Sequence, residues 1–98
     1  MAEAKNAVPT LQVDNERVRV TRWDFAPGAT TGYHKHEYDY VIIPVLDGAL
    51  GLAGPQGATR AELKAGVSYF RQAGVEHDVQ NVNAYPYAFV EVELKQKG

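Results

Sequence analysis

The sequence predicts an all-β protein whose strands form a sandwich or a closed barrel. Nine glycines and five prolines divide its 98 residues into short segments, and none of these repeats apolar residues at helical spacing over three turns. The segments are rich in β-branched and aromatic residues, and turn signals separate them at the regular intervals typical of all-β domains. Two packed sheets, or one closed sheet, would also remove the exposed face and edges of a lone open sheet.

The turn signals place about eight short strands along the chain. One of them carries His34 and His36, and the others cover residues 18–25, 38–46, 49–53, 59–63, 67–71, 77–82 and 87–94. Asp47 and Gly48 form a dipeptide typical of tight hairpin turns, so the strands on either side of it are expected to pair.

The last predicted strand has two different faces. Its aliphatic residues at 88, 90, 92 and 94 share one face, and Glu91 and Glu93 share the other. Tyr87 and Phe89 lie on the same face as the glutamates, so that face is not expected to be purely solvent-facing.

Length, charge and residue types exclude several classes of protein. The 98 residues are enough for one domain, 1–98, whose polar ends 1–7 and 95–98 are expected to fray. Ten basic against twelve acidic residues leave a formal charge of −2, which argues against nucleic acid or an anionic membrane as partner. The absence of cysteine excludes disulfides, thiolate nucleophiles and iron–sulfur clusters.

The same inventory predicts a cytoplasmic protein. The longest apolar run, residues 41–46, contains a proline and is too short to span a bilayer. Residues 1–7 lack the apolar segment of a signal peptide, so the cytoplasm is the expected location.

Three histidines form a candidate metal site. His34 and His36 are two residues apart, so on a strand both imidazoles point to the same face. His77 begins a later strand, and strands distant in sequence are often neighbours in a sandwich. Imidazole is the commonest metal-binding side chain.

The spacing around these histidines resembles the two sequence motifs of the cupin family. Gly28, His34, His36 and Gly48 match the spacing of the first motif. The second is matched by a set that contains the third histidine: Gly66, Gly74, His77 and Asn81. The resemblance spans more than half of the chain and uses every histidine in it. It implies a small jelly-roll barrel, the double-stranded β-helix, with metal ligands lining its interior.

Two positions depart from the family pattern. Gln72 stands where the second motif usually has a proline, a change that a turn can survive. Val41, seven residues before Gly48, stands where the family places a glutamate ligand. The resemblance therefore implies a variant metal site with three neutral ligands, His34, His36 and His77, and no carboxylate.

A site of three neutral ligands predicts one divalent transition metal with a larger net charge than usual. Such an ion would attract an anionic, chelating substrate and would leave coordination positions open. The open positions suit ferrous iron, although zinc, nickel, manganese and copper also fit the ligand set. No residue is assigned to an organic cofactor.

Three further residues are candidates for catalysis: Tyr40, Asp39 and Arg71. Asp39 is two residues before Val41, so both are expected on the inward face of their strand. Asp39 would then hydrogen-bond a histidine, replace the lost ligand at the rim, or pair with Arg22 or Arg71. Asn81 is expected to fix strands rather than to act in catalysis.

These features predict a dioxygenase-type enzyme that holds a small anionic substrate inside the barrel. Two alternatives stay open: a non-catalytic sensing or structural module, and a zinc-dependent lyase, isomerase or hydrolase. Because the core is small and cupins commonly pair near the N-terminus, we also expect a homodimer. Residues 11–13 and 18–20 are the candidates for that interface.

Overall fold

The computed structural model describes residues 5–95, and in that part of the chain it contains nine β-strands. The strands are β1 (Val8–Asp14), β2 (Val18–Phe25), β3 (His34–Lys35), β4 (Asp39–Pro44), β5 (Gly48–Gly54), β6 (Gly57–Leu63), β7 (Tyr69–Arg71), β8 (Glu76–Asn81) and β9 (Tyr87–Leu94). The expected all-β class is confirmed. None of the described residues belongs to a helix that is long and apolar enough to cross a membrane.

The strands form two antiparallel sheets that share one core. The first sheet has the order β1-β2-β9-β4-β7, and the second has the order β3-β8-β5-β6. Apolar side chains from both sheets meet in a single buried cluster, which includes Phe25 and Ile42 from the first sheet and Leu50 and Val79 from the second. Strands far apart in sequence, such as β2 and β9, therefore lie side by side, as in a jelly roll.

β1 is a strand that the sequence did not reveal. It pairs with β2 at the edge of the first sheet, and all seven of its residues are exposed. Pro9 lies within it, which an edge strand tolerates because one side of its backbone needs no partner.

Asp47 and Gly48 do not form the expected hairpin. β4 pairs with β7 and β9, whereas β5 pairs with β6 and β8, so the segment between them carries the chain from one sheet to the other. The Asp47 carboxylate accepts a 2.9 Å hydrogen bond from the backbone N–H of Ala65. The dipeptide signals a change of direction, but the partners of each strand are set by packing.

The glutamate face of β9 is the inner face. Phe89, Glu91 and Glu93 are each buried, whereas the alternating Val90 and Val92 are only partly buried. β9 lies between β2 and β4 in the middle of the sheet. Its two glutamates therefore enter the barrel, which places two acidic groups near the candidate metal site.

Backbone hydrogen bonds join the described ends of the chain to its interior. The backbone N–H of Ala7 donates to the Thr30 carbonyl at 2.8 Å, and the N–H of Thr30 donates to the Lys5 carbonyl at 2.9 Å. At the other end, the N–H of Lys95 donates to the Arg17 carbonyl at 2.8 Å. The fraying of residues 1–7 and 95–98 stays a prediction, and residues 1–4 and 96–98 lie outside the described residues.

Candidate metal centre

The three histidines converge inside the barrel. β3 pairs with β8 so that His34 lies directly opposite His77, and His36 follows two residues after His34. The Nε2 atom of His36 is 3.0 Å from that of His34 and 3.1 Å from that of His77. Two nitrogens bound at right angles to one ion, each about 2.1 Å from it, are about 3.0 Å apart. The spacing of the imidazoles therefore fits a shared metal ion.

The turn between β7 and β8 holds His36 in place. The backbone N–H of His36 donates to the Val75 carbonyl at 2.9 Å, and the N–H of Gly74 donates to the His36 carbonyl at 2.8 Å. Gly74 has a φ of +99°, in the left-handed region that glycine adopts without steric cost. This motif glycine thus lets the turn before His77 bond to His36, which directly follows β3.

A backbone carbonyl orients the ring of His34. The Nδ1 atom of His34 lies 2.8 Å from the Gly32 carbonyl oxygen. Because a carbonyl can only accept, Nδ1 carries the ring proton and the lone pair of Nε2 points toward the other two histidines. Metal-ligating histidines commonly have a partner of this kind on the second ring nitrogen.

Burial keeps two of the histidines neutral at physiological pH. Burial, followed by the charges of His34 and His77, lowers the pKa of His36 to about 4. Burial is also the main cause that lowers the pKa of His77 to about 4. A neutral imidazole has a free lone pair, so both groups are ready to bind a divalent cation.

Glu91 and Glu93 stand beside the histidines, although the sequence did not identify them as site residues. Glu91 Oε2 is 3.9 Å from His36 Nδ1. Burial is the largest cause that raises the pKa of Glu91 to about 7, followed by the charge of Glu93. Glu93 accepts two hydrogen bonds from the Arg19 guanidinium, at 2.7 and 2.9 Å. The only signal in the sequence was that Glu91 shares a strand face with Phe89.

Tyr40 packs against the metal site. Its ring is stacked on that of His36, with 3.9 Å between centroids and 22° between the planes. Its hydroxyl is buried and has no hydrogen-bond partner among residues 5–95. Burial raises the pKa of this hydroxyl above its usual value, so it remains protonated and able to donate.

The histidines open into a cavity of about 610 Å³ between the two sheets. Aromatic and aliphatic side chains form much of its wall, including Trp23, Tyr69, Phe89, Ile42, Leu50 and Leu52. Arg71 and Tyr40, two of the three predicted catalytic candidates, also line it. A mostly apolar wall with a few polar groups is typical of small-molecule sites.

Asp39 and Val41 face away from the histidines, contrary to expectation. Along β4, Tyr40 and Ile42 are buried and line the cavity, while Val41 is only partly buried and Asp39 is exposed. The Asp39 carboxylate accepts a 2.8 Å hydrogen bond from the backbone N–H of Ala73. The strand alternation is as predicted, but its phase is shifted by one residue, so a tyrosine occupies the inward position.

Two further residues singled out in the sequence, Arg22 and Asn81, make structural contacts. Arg22 pairs with Asp24 rather than with Asp39. Asn81 is 1% exposed, and its amide donates to the carbonyl oxygens of Phe25, Ala26 and Tyr85. It therefore ties three backbone segments together, which confirms its expected structural role.

A jelly roll with this two-motif histidine set defines a class of protein. The chain belongs to the cupin family, whose cupin-domain model matches residues 21–93. The chain is 55% identical over 95 residues to the beta-alanine degradation protein BauB of Pseudomonas aeruginosa, a match that covers 97% of this chain and 100% of that protein.

Solved structures support the same assignment. A cupin domain from Bordetella pertussis has a TM-score of 0.95 and 47% identity, covering 98% of this chain and 100% of that one. The polyketide cyclase RemF of Streptomyces resistomycificus has a TM-score of 0.72 and 20% identity, covering 97% of this chain and 71% of that one. At that identity, the likeness to RemF shows a shared fold alone.

Proposed function

We propose that this cupin is a mononuclear metal-dependent enzyme that acts on a small, anionic, chelating substrate with dioxygenase-type chemistry. One observation carries the proposal: the three histidine Nε2 atoms converge, with separations of 3.0 and 3.1 Å, on the wall of a cavity large enough for a small molecule. His34, His36 and His77 are the proposed ligands of one divalent metal per chain.

The ligand set accounts for the proposed substrate class. Three imidazoles add no negative charge, so a divalent ion held by them keeps its full charge and favours an anionic ligand. When bound, such an ion supplies Lewis acidity and, as ferrous iron, a centre for reaction with dioxygen. Burial of the cavity wall strengthens the attraction for an anion because the surroundings screen charge poorly.

The relative from Pseudomonas aeruginosa suggests which small anions to test. Its name assigns it to beta-alanine degradation, and beta-alanine is a three-carbon amino acid. Removal of its amino group yields an oxo acid, which can chelate a metal through its oxo and carboxylate oxygens. We therefore propose short oxo and hydroxy acids as the substrate class of this chain.

Metal binding is tested with a matched pair of variants in β8. His77→Ala should lose most of the metal found by elemental analysis of anaerobically purified protein. Glu76→Gln changes the neighbouring residue, whose carboxylate accepts a hydrogen bond from Tyr33, and should keep the wild-type metal content. Unchanged metal content in His77→Ala would show that the ligands are misassigned.

The reaction class is tested with an oxygen electrode. Iron-loaded protein should consume dioxygen only in the presence of a chelating acid or dicarbonyl, and His36→Ala should abolish the uptake. No uptake across a panel of dicarbonyls, thiols and hydroxy acids, together with full zinc occupancy in cells, would overturn the oxygenase proposal. That result would favour a zinc-dependent hydrolytic reaction or a sensing role.

A further inference from the structure

Arg71 is a charged group of the cavity wall that no carboxylate neutralises within the described part of the chain. The ion pairs among residues 5–95 involve other side chains. Arg19, the second arginine of the wall, is occupied by both carboxylate oxygens of Glu93. Arg71 therefore has its hydrogen-bond donors available for a ligand.

Arg71 and the three histidines line the same cavity. The Cζ atom of Arg71 lies 5.2 Å from the centroid of the Tyr69 ring, a cation–π contact that restricts the guanidinium. β7 pairs with β4 so that Arg71 lies opposite Tyr40, and strand partners of this kind are about 5 Å apart. Tyr40 in turn stacks on His36. One small molecule in the cavity can thus contact both the guanidinium and the histidine site.

The chemistry of arginine points to binding rather than proton transfer. A guanidinium has five N–H donors and no acceptor, so the role that fits Arg71 is to bind an anionic group. Its planar fork of N–H donors matches a carboxylate, which it can bind through two parallel hydrogen bonds.

We propose that Arg71 binds the carboxylate of the substrate while the three-histidine site holds the oxo or hydroxy oxygen of the same molecule. This inference rests on the proposed function and adds to it a basis for selecting acids. It makes the site specific for oxo and hydroxy carboxylates over chelators of similar shape that lack a carboxylate.

The test compares two ligands on zinc-loaded protein by isothermal titration calorimetry. Acetoacetate has an oxo group and a carboxylate, whereas pentane-2,4-dione has two oxo groups and no carboxylate. The variants are Arg71→Gln, Arg71→Lys and Lys64→Gln. Lys64 is exposed and is not part of the cavity wall, so Lys64→Gln removes the same charge and controls for a general electrostatic effect.

Arg71→Gln should weaken acetoacetate binding at least about tenfold, since a charged hydrogen-bonded contact is lost. Its effect on pentane-2,4-dione should be smaller than about twofold, and Lys64→Gln should change the binding of neither ligand by more than about twofold. Arg71→Lys should restore part of the affinity, because it keeps the charge but not the fork.

Two results would overturn the inference: equal effects of Arg71→Gln on both ligands, or no binding of acetoacetate by the zinc-loaded wild type. Selective loss of acetoacetate binding in Arg71→Gln, combined with no oxygen uptake by iron-loaded wild type, would support the inference. That combination would contradict the oxygenase part of the proposed function, so the two failures are distinguishable.

Discussion

At the scale of single residues, the candidate site contains two buried histidines and a buried glutamate, whose pKa values are shifted in opposite directions. Burial favours the neutral form of His36 and of His77, which therefore stay unprotonated well below their usual range. Burial favours the neutral form of Glu91 too, which for a carboxyl group means retaining its proton to about pH 7. The same physical cause thus gives two opposite dependences of stability on pH.

Glu91→Gln should separate these two dependences. The folded-state pKa of Glu91 is raised from 4.5 to about 7, so its contribution to stability is present below pH 4.5 and is lost as the pH rises through 7. Replacement by glutamine removes that loss. The free energy of unfolding of the chelator-treated variant, relative to wild type, should therefore be higher at pH 8 than at pH 4.5 by on the order of 3 kcal/mol. The measurement is urea denaturation of wild type and variant at both pH values.

Glu62→Gln provides the control for that experiment. Glu62 is an exposed glutamate paired with Arg60 on β6, and its replacement should not alter the pH dependence. A wild-type-like pH profile in Glu91→Gln would mean that the carboxyl group of Glu91 titrates normally in the folded state.

Val41→Glu tests which residue of β4 faces the metal site. The family motif places a carboxylate at this position, but in the structure Val41 is outside the cavity wall and Tyr40 is within it. The variant should fold and should bind zinc with a Kd within about twofold of the wild type, because residue 41 is on the face of β4 that points away from the cavity. A marked gain in zinc affinity would place residue 41 at the metal.

At the scale of elements, the glycine at position 48 is explained by the close approach of neighbouring side chains and not by a turn that needs a positive φ. The motif glycine Gly48 begins β5 next to the buried ring of Tyr87. A Cβ atom at Gly48 would lie 2.7 Å from a carbon of that ring and 3.0 Å from the Asn83 amide nitrogen. Asn83 itself bonds to both backbone groups of Ala49, so neither neighbour can move freely.

Gly48→Ala should therefore destabilise the protein by about 1–3 kcal/mol, the usual cost of overpacking a filled site. Thermal unfolding of the metal-free variant against wild type measures the effect. Ala53→Gly, a substitution on the same strand that removes a methyl group from an exposed position, is the comparison for general changes in β5. Equal melting temperatures for Gly48→Ala and wild type would contradict the clash.

The edge strand β1 supplies the surface for the predicted homodimer. Leu11 and Val13 are 58% and 42% exposed. Such exposure is unusual for two aliphatic side chains that lie close together on one strand. Within residues 5–95, β1 pairs with β2 alone, so its other edge has no strand partner in that part of the chain.

Leu11→Glu should convert a dimer to a monomer in light scattering at micromolar concentration, because it introduces a charge into the apolar interface. Val67→Glu alters another exposed aliphatic residue, 62% exposed and outside β1, and should leave the dimer intact. A wild-type monomer at micromolar concentration would contradict the prediction of a homodimer.

At the scale of the whole molecule, the two sheets enclose a cavity beside their shared apolar core. The cavity has a volume of about 610 Å³, and both aromatic side chains and the histidines line it. A protein of 98 residues has little apolar area to spare for such a cavity. A metal ion that binds only the folded state would offset this loss by mass action.

Metal removal should therefore make the protein acid-sensitive. The folded-state pKa of His36 and of His77 is about 4, against 6.5 for an ordinary histidine. Their contribution to stability is present above pH 6.5 and is lost as the pH falls through 4, because the unfolded chain binds protons first. The melting temperature of chelator-treated protein should fall between pH 6.5 and pH 4, and the fall should be smaller in His77→Gln. The same fall in His77→Gln as in wild type would assign the acid sensitivity to other groups.

Local sequence patterns predicted the fold class of this protein and its candidate metal ligands. The turn residues and β-branched segments predicted the all-β class. The spacing of glycines and histidines resembled the cupin motifs, and that resemblance implied the jelly roll and the three histidines that converge. These features depend on a few adjacent residues, as in the left-handed turn at Gly74 or the shared strand face of His34 and His36.

Only the tertiary structure decided which face of each strand is the inner one. Alternation defines two faces but does not say which of them meets the opposite sheet, and a shift of one residue exchanges them. Tyr40 rather than Val41 therefore faces the cavity. Glu91 also faces the cavity, from the face of β9 that carries both glutamates. Asp47 and Gly48 likewise mark a turn, while the partners of β4 and β5 depend on contacts with strands distant in sequence.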